Sequence, residues 1–234
     1  MSFPPDFNRL EVLTRIEGTL VNHTPLRIGF GREASPLTSI DIGVIRIRRA
    51  DGREVPYIPG SSLKGAMRSL AERLLRAQNT EVHSPWDFKK MEEEKKSKKY
   101  CLLCSIFGNT GIASHVTIYD AYPLSEAITQ VRTCVGINRE FGGAQPDVLY
   151  REEFVAPGTH WSFKMDIVNI RVYPKVGDQR GELVKQLIQA LQDGHVQVGA
   201  RKTVGYGLIQ LVKAGYKVYE PKNGRLEVTT SGEL

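Results

Sequence analysis

Pro56-Tyr57-Ile58-Pro59-Gly60-Ser61-Ser62-Leu63-Lys64-Gly65-Ala66-Met67-Arg68-Ser69-Leu70 starts extended and turns helical. The change falls at Pro59-Gly60. Leu63, Met67, Leu70, Leu74 and Leu75 then form one apolar stripe, which predicts a helix from Ser62 to about Arg76. Ser61 or Ser62 can act as its cap by accepting a free backbone N–H. The remaining N–H groups and the positive helix end favour an anion. Lys64 and Arg68, spaced i, i+4, share one face, so a phosphate would meet backbone donors first and cations next. On the residues alone, the segment also fits an ordinary capped surface helix with two solvated cations.

The flanking sequence supplies a sheet. Arg9 to Val21 alternates apolar and polar residues as a strand does, Ile42 to Ile47 returns to strand, and Asp51-Gly52 marks a turn. Strands are also expected at His115 to Tyr119, Trp161 to Val172 and Leu208 to Val212. Val131 to Asn138 and Leu149 to Val155 read as the arms of a hairpin. Glu182 to Asp193 is a second helix, stopped by Gly194. Stripped of insertions, the order is strand, helix, strand, strand, helix, strand, an α+β chain on the ferredoxin-like (RRM-like) βαββαβ plan. An open sheet of that kind can receive unstacked nucleotides. The reading gives one domain over 8–218, insertions at about 77–113 and 121–158, and a poorly ordered tail over 219–234.

Net charge is +6 over 234 residues, which suits a polyanionic partner. No apolar run approaches the roughly 20 residues of a membrane span, and the N-terminal residues do not pattern as a secretory signal. Three cysteines, two of them as Cys101-x-x-Cys104, suit a reducing compartment. A cytoplasmic protein that does not engage membranes is expected. The run Lys89 to Lys99 mixes charges of both signs and reads as a solvated, mobile insertion; a basic surface near RNA is the alternative.

Four segments, in order, carry a resemblance. Tyr57 to Gly65 with Arg68, Cys104-Ser-Ile-Phe-Gly108, Val135-Gly-Ile-Asn-Arg139 followed by Gly142-Gly143, and Gly199-Ala-Arg201-Lys202-Thr-Val-Gly205-Tyr206-Gly207 together resemble the RAMP superfamily of CRISPR proteins. Within it, they look like the repeated backbone subunit of type III effector complexes. The resemblance implies a ferredoxin-like core with an inserted helical lid and a protruding β-hairpin thumb. It also implies a CRISPR RNA guide and a target RNA as ligands. Other RAMP subunits and a large polymerase-like subunit are the implied partners, in a homo- or hetero-oligomeric filament that serves antiviral defence.

The resemblance places guide contacts at Ser61, Ser62, Lys64, Arg68, Arg139, Arg201 and Lys202, with Arg139 at the thumb base. Asp41, in Asp41-Ile-Gly-Val-Ile-Arg46, matches the position of the aspartate of cleaving family members. Its carboxylate would work with Mg²⁺ or another divalent cation on the target strand. Cys101 and Cys104 are compatible with structural Zn²⁺, with His83 as third ligand and Asp87 a weak fourth; two buried thiols or a redox pair stay open. Tyr206 is either a base-stacking platform or a buried tyrosine. Two rival functions remain: a guide scaffold that does not cut, and a stand-alone metal-independent ribonuclease centred on His23.

Overall fold

The computed structural model describes residues 3, 6–29 and 42–234. Its elements in chain order are β1 (Leu13–Asn22), β2 (Arg46–Arg48), β3 (Glu54–Pro56), α1 (Gly60–Ala77), α2 (Phe88–Ser97), α3 (Cys104–Phe107), β4 (Val116–Ile118), β5 (Thr129–Ile137), β6 (Ala144–Val155), β7 (His160–Val168), α4 (Gln179–Gln192), β8 (Val196–Gln197), β9 (Leu208–Lys222) and β10 (Arg225–Glu233). A 3-10 turn, Lys202–Val204, precedes β9.

The main sheet is antiparallel, in the order β10-β9-β1-β7-β4, with β8 added on β9. The period of two sets its faces. Ile16 lies opposite Met165 and Leu20 opposite Trp161, all four buried, while Arg15 opposite Asp166 forms an ion pair on the other face. Helix α1 packs on β4 and α4 on β9, and the two helices touch. The buried stripe of α1 is Leu63, Met67, Ala71 and Leu75; Leu70 and Leu74 sit half-buried at its edge.

Four differences from the sequence reading have physical causes. The expected tail is instead the second half of β9 and β10; Asn223 and Gly224, both at positive φ, make the turn that lets the chain pair back on itself. The expected strand at 42–47 shortens to β2, because residues 42–45 bond elsewhere: Ile42 bridges β6 at Glu152 and Ile45 donates to the Ile28 carbonyl. The charged run folds as α2, capped by Asp87, whose carboxylate accepts from Lys90 N–H; Met91 is its buried anchor. The cap of α1 is Pro59 and involves neither serine.

Strands β5 and β6 form a separate two-stranded hairpin, paired from Thr129–Val155 at the base to Ile137–Ala144 at the tip. It stands off the main body: β5 and the first half of β6 are largely exposed, and β6 becomes buried only from Glu152 onward. None of the helices among the described residues is long and apolar enough to cross a membrane.

Candidate RNA-binding surface and metal centre

The start of α1 is closely built. Gly60 is required there, since any Cβ would strike the Ile118 carbonyl. Its N–H donates to Asp120 Oδ1 at 2.8 Å, and the N–H groups of Ser62 and Leu63 turn back on the Pro59 carbonyl. A carboxylate therefore already faces the positive end of this helix. Ser61 is exposed and Ser62 half-exposed beside it.

Lys64 and Arg68 of α1 lean towards the segment after α3. Lys64 Nζ donates to Ser114 Oγ at 2.7 Å; burial, then the neighbouring Arg68, lowers its pKa. Arg68 donates to the Gly108 carbonyl at 2.9 Å and lies 3.8 Å from Cys104 Sγ. These contacts join the Ser-Leu-Lys segment to the Ser-Ile-Phe-Gly turn that follows it in sequence.

Cys104 belongs to a compact donor cluster. His83, Glu94, Cys101 and Cys104 each bring one ligand atom to within 4.8 Å of the others. A tetrahedral zinc shell with bonds of about 2.0–2.3 Å puts its ligand atoms roughly 3.5 Å apart, so the set needs little tightening. The surrounding contacts suit a metal as well. His83 Nδ1 faces the Ser84 carbonyl at 3.0 Å, which fixes the proton there and aims the Nε2 lone pair at Cys104 Sγ, 3.4 Å away, and Glu94, 3.0 Å away. Asn109 holds the second oxygen of Glu94 at 2.8 Å. The hydrogen bond with Cys104 pulls the Cys101 thiol down to about 7 and pushes Cys104 up, as expected when two thiols share one proton. Burial alone would lower the pKa of His83; the Ser84 carbonyl and Glu94 outweigh it and raise the value.

The sequence reading names His83, Cys101 and Cys104 of this cluster and not Glu94. Asp87, the weak fourth, caps α2 instead. Glu94 was hidden in the charged run. Its signal was the spacing Met91, Glu94 at i, i+3, which puts it on the buried side of α2 once that run is read as a helix. His115 lies apart from the cluster, stacked on Phe7 with Nδ1 2.7 Å from the Val168 carbonyl.

The glycine-rich loop sits against the base of the hairpin. Gly199, at φ +80°, passes so close to the Arg27 carbonyl that a side chain there would collide with it. Arg201, itself at φ 62°, sends its guanidinium to Glu152 Oε2 at 2.9 Å and to the Tyr150 hydroxyl. Arg27 reaches the same Glu152 oxygen at 3.2 Å, and the Tyr206 hydroxyl donates to the other at 3.1 Å. Tyr206 is thus buried, edge-on to Phe154. Desolvation opposes the charge on Glu152, but Arg201 outweighs it and holds the carboxyl below its usual range. The next residue faces the other way: Glu153 pairs with Arg46 and accepts the Val44 N–H at 3.0 Å. Lys202 is exposed in the 3-10 turn.

Arg139 lies in the turn between Ile137 and Ala144, at the tip of the hairpin, because the pairing register puts the base at Thr129 and Val155. His23 binds Gln210 Oε1 at 2.6 Å on the surface. Asp41 lies outside the described residues.

Residues 19–210 match the RAMP superfamily. The chain belongs to that superfamily. One curated relative, the CRISPR system Cms endoribonuclease Csm3 of Methanothermobacter thermautotrophicus, is 24% identical over 250 residues, covering 94% of this chain and 92% of its own. Among solved structures, a chain of the Type III-B Cmr-beta complex bound to cognate target RNA, determined by cryo-EM, superposes with a TM-score of 0.55 at 20% identity. The match covers 86% of this RAMP chain and 60% of that subunit. The mixed α/β architecture with its antiparallel sheet is therefore a RAMP fold.

Proposed function

We propose that this RAMP protein is a guide-RNA-binding backbone subunit of a type III CRISPR effector complex and that it cuts target RNA. On this reading, β1, β4, β7 and β9 with α1 and α4 are the ferredoxin-like core. Residues 78–113 are the lid and β5–β6 is the thumb. The single observation that carries the reading is the thumb: a two-stranded arm standing off the body, with Val131, Ile137, Phe141 and Leu149 more than half exposed. An arm that exposes apolar side chains in water is suited to wedge between stacked bases, as apolar wedges do in nucleic-acid grooves.

The guide would lie along Ser61, Ser62, Lys64, Arg68 and the loop of Arg201 and Lys202, held through phosphates and so dependent on salt but not on sequence. Lys64 and Arg68 would exchange part of their present contacts for phosphate. Other RAMP subunits, a large polymerase-like subunit and further copies would adjoin it.

Cleavage is assigned to Asp41. A divalent cation such as Mg²⁺ would supply charge neutralisation at the scissile phosphate. The chain's own part is positional: insertion of the thumb would splay the target strand, and the 2′-hydroxyl would then reach in-line geometry. Zinc is assigned a structural role in the lid, held by His83, Glu94, Cys101 and Cys104.

The test is purification of the assembled complex. RNA of uniform guide length should co-purify, and target cuts should fall at regular spacing. Asp41→Ala should abolish cutting and leave the guide bound. Undiminished cutting by that variant would sink the catalytic assignment and leave the scaffold reading; failure of any RNA to co-purify would sink both.

A further inference from the structure

Tyr150, Glu152 and Phe154 occupy one face of β6, by the two-residue period of a strand. All three meet the glycine-rich loop: Tyr150 and Glu152 through Arg201, Glu152 and Phe154 through Tyr206. Arg27, whose carbonyl accepts the Ala200 N–H at 2.9 Å, closes the circuit on Glu152. From β5, Arg132 covers the rings of Phe154 and Tyr206 at 5.2 and 5.7 Å. Glu152 is 2% exposed and, among the described residues, is the acid that Arg27 and Arg201 share.

We infer that Glu152 is a positioning residue through which the glycine-rich loop sets the stance of the thumb. The inference extends the guide-binding reading above, on which it rests for the RNA half of its consequence. A strand is stiff along its length, so a shift of its anchor at 150–154 is carried to the tip at 138–143. A guanidinium has five N–H donors in a fixed fork. Arg201 directs two groups of that fork at Glu152 and Tyr150, which leaves donors of the same fork for a phosphate. RNA seated on the loop and the angle of the thumb are then read by one side chain. Arg201 therefore acts as a relay between RNA and thumb.

Hydrogen exchange on the full-length chain tests this without RNA. Glu152→Gln should speed exchange about tenfold in both the hairpin, 129–155, and the loop, 199–207, while β1 and β7 stay protected. Arg201→Ala should do the same, and the double variant should add clearly less than the sum of the two, since both remove the Arg201–Glu152 linkage. Tyr206→Phe, which deletes a hydroxyl alone, should loosen both segments by a smaller factor and keeps the test alive if Glu152→Gln does not fold. Loosening of one segment only, loosening throughout the molecule, or additive effects would overturn the coupling. A second arm uses the complex carrying its co-purified RNA. Bound RNA should slow exchange in the wild-type thumb and fail to do so in those Glu152→Gln molecules that hold RNA. Equal slowing in both would overturn the relay. If no RNA is held by any form, the guide reading fails, while the loop–thumb linkage is still judged by the first arm.

Discussion

On the proposed reading, the lid (78–113) and the thumb (β5–β6) are insertions into the same sheet, yet opposite chemistry holds them. The lid is gathered by four donors that come from one short stretch, His83 to Cys104, and include two thiols and an imidazole. Thiols and a neutral imidazole bind one another weakly and a soft cation strongly. The thumb is gathered by carboxylates against guanidiniums, and its partners are remote in sequence: Arg27, Arg46 and Arg201 converge on Glu152 and Glu153. The difference teaches where order comes from in each. The order of the thumb is carried by charges already in the chain, whereas on the proposed reading that of the lid would depend on an ion that unites its donors.

The largest effect should come from breaking the lid. The purified chain should carry zinc, and Cys104→Ser, or a strong chelator, should remove it. Structural zinc is worth about 10 kcal/mol or more to a small metal-dependent fold. The lid also keeps Met91, Tyr100 and Leu103 buried, so its loss should be local. Limited proteolysis within 81–100 should accelerate strongly while the thumb keeps its resistance. A lid equally resistant with and without metal would erase the contrast and favour two buried thiols.

Glu153→Ala attacks the other half of the comparison. It strands Arg46 and the Val44 N–H. Breaking a buried ion pair costs about 3–5 kcal/mol, and Arg46 keeps 31% of its side-chain surface in water, so about 2–4 kcal/mol is expected in denaturant unfolding. Acid separates the two regions without mutation. Both Glu152 and Glu153 titrate below their ordinary value of 4.5, so the stability they confer is fully present above it. That contribution fades only as pH falls through their depressed folded values. His83 titrates above 6.5, and its proton competes with metal below that point. Acidification from neutrality should release metal from the lid first, with thumb exchange unchanged. In metal-free protein the sign reverses: the protonated His83 pairs with Glu94, and that gain is lost as pH rises through the raised value. Simultaneous loosening of lid and thumb on acidification would break the comparison.

The legible parts of this chain were those with local periodicity. The stripe of α1, the alternation of β7 and the arms of the hairpin announce themselves within a dozen residues, because burial on one face imposes a period. The donor cluster was legible as far as residue type allows: Cys-x-x-Cys and a histidine stand out, but a glutamate among charges does not until α2 is seen to turn it inward. The role of Arg201 was not legible at all. An arginine in a glycine-rich loop reads as a phosphate ligand, and its carboxylate partner lies 49 positions away. Nor was β10, whose side chains are nearly all exposed and therefore lack the burial signal that marks the other strands. Asp41 stays a reading of motif alone.

Arg139 offers the smallest and sharpest comparison, within the thumb itself. At the base, arginines are locked to carboxylates; at the tip, Arg139 is exposed in the turn. Replacing it with alanine removes no buried contact, so stability should change by no more than about 0.5 kcal/mol. Its effect should appear in RNA binding. If Arg139 neutralises one phosphate, Arg139→Ala should weaken binding evenly across sequences and reduce the slope of log affinity against log salt by about 1. On the proposed reading, the tip position assigns Arg139 to the target strand. A side chain at the thumb base would meet guide phosphate in the subunit's own groove, whereas one at the tip reaches across the inserted arm. The slope should therefore fall for the complex with target RNA more than for guide alone. An equal fall in both would return Arg139 to the guide, and an unchanged slope would remove it from the RNA surface, leaving the thumb to act through its apolar side chains.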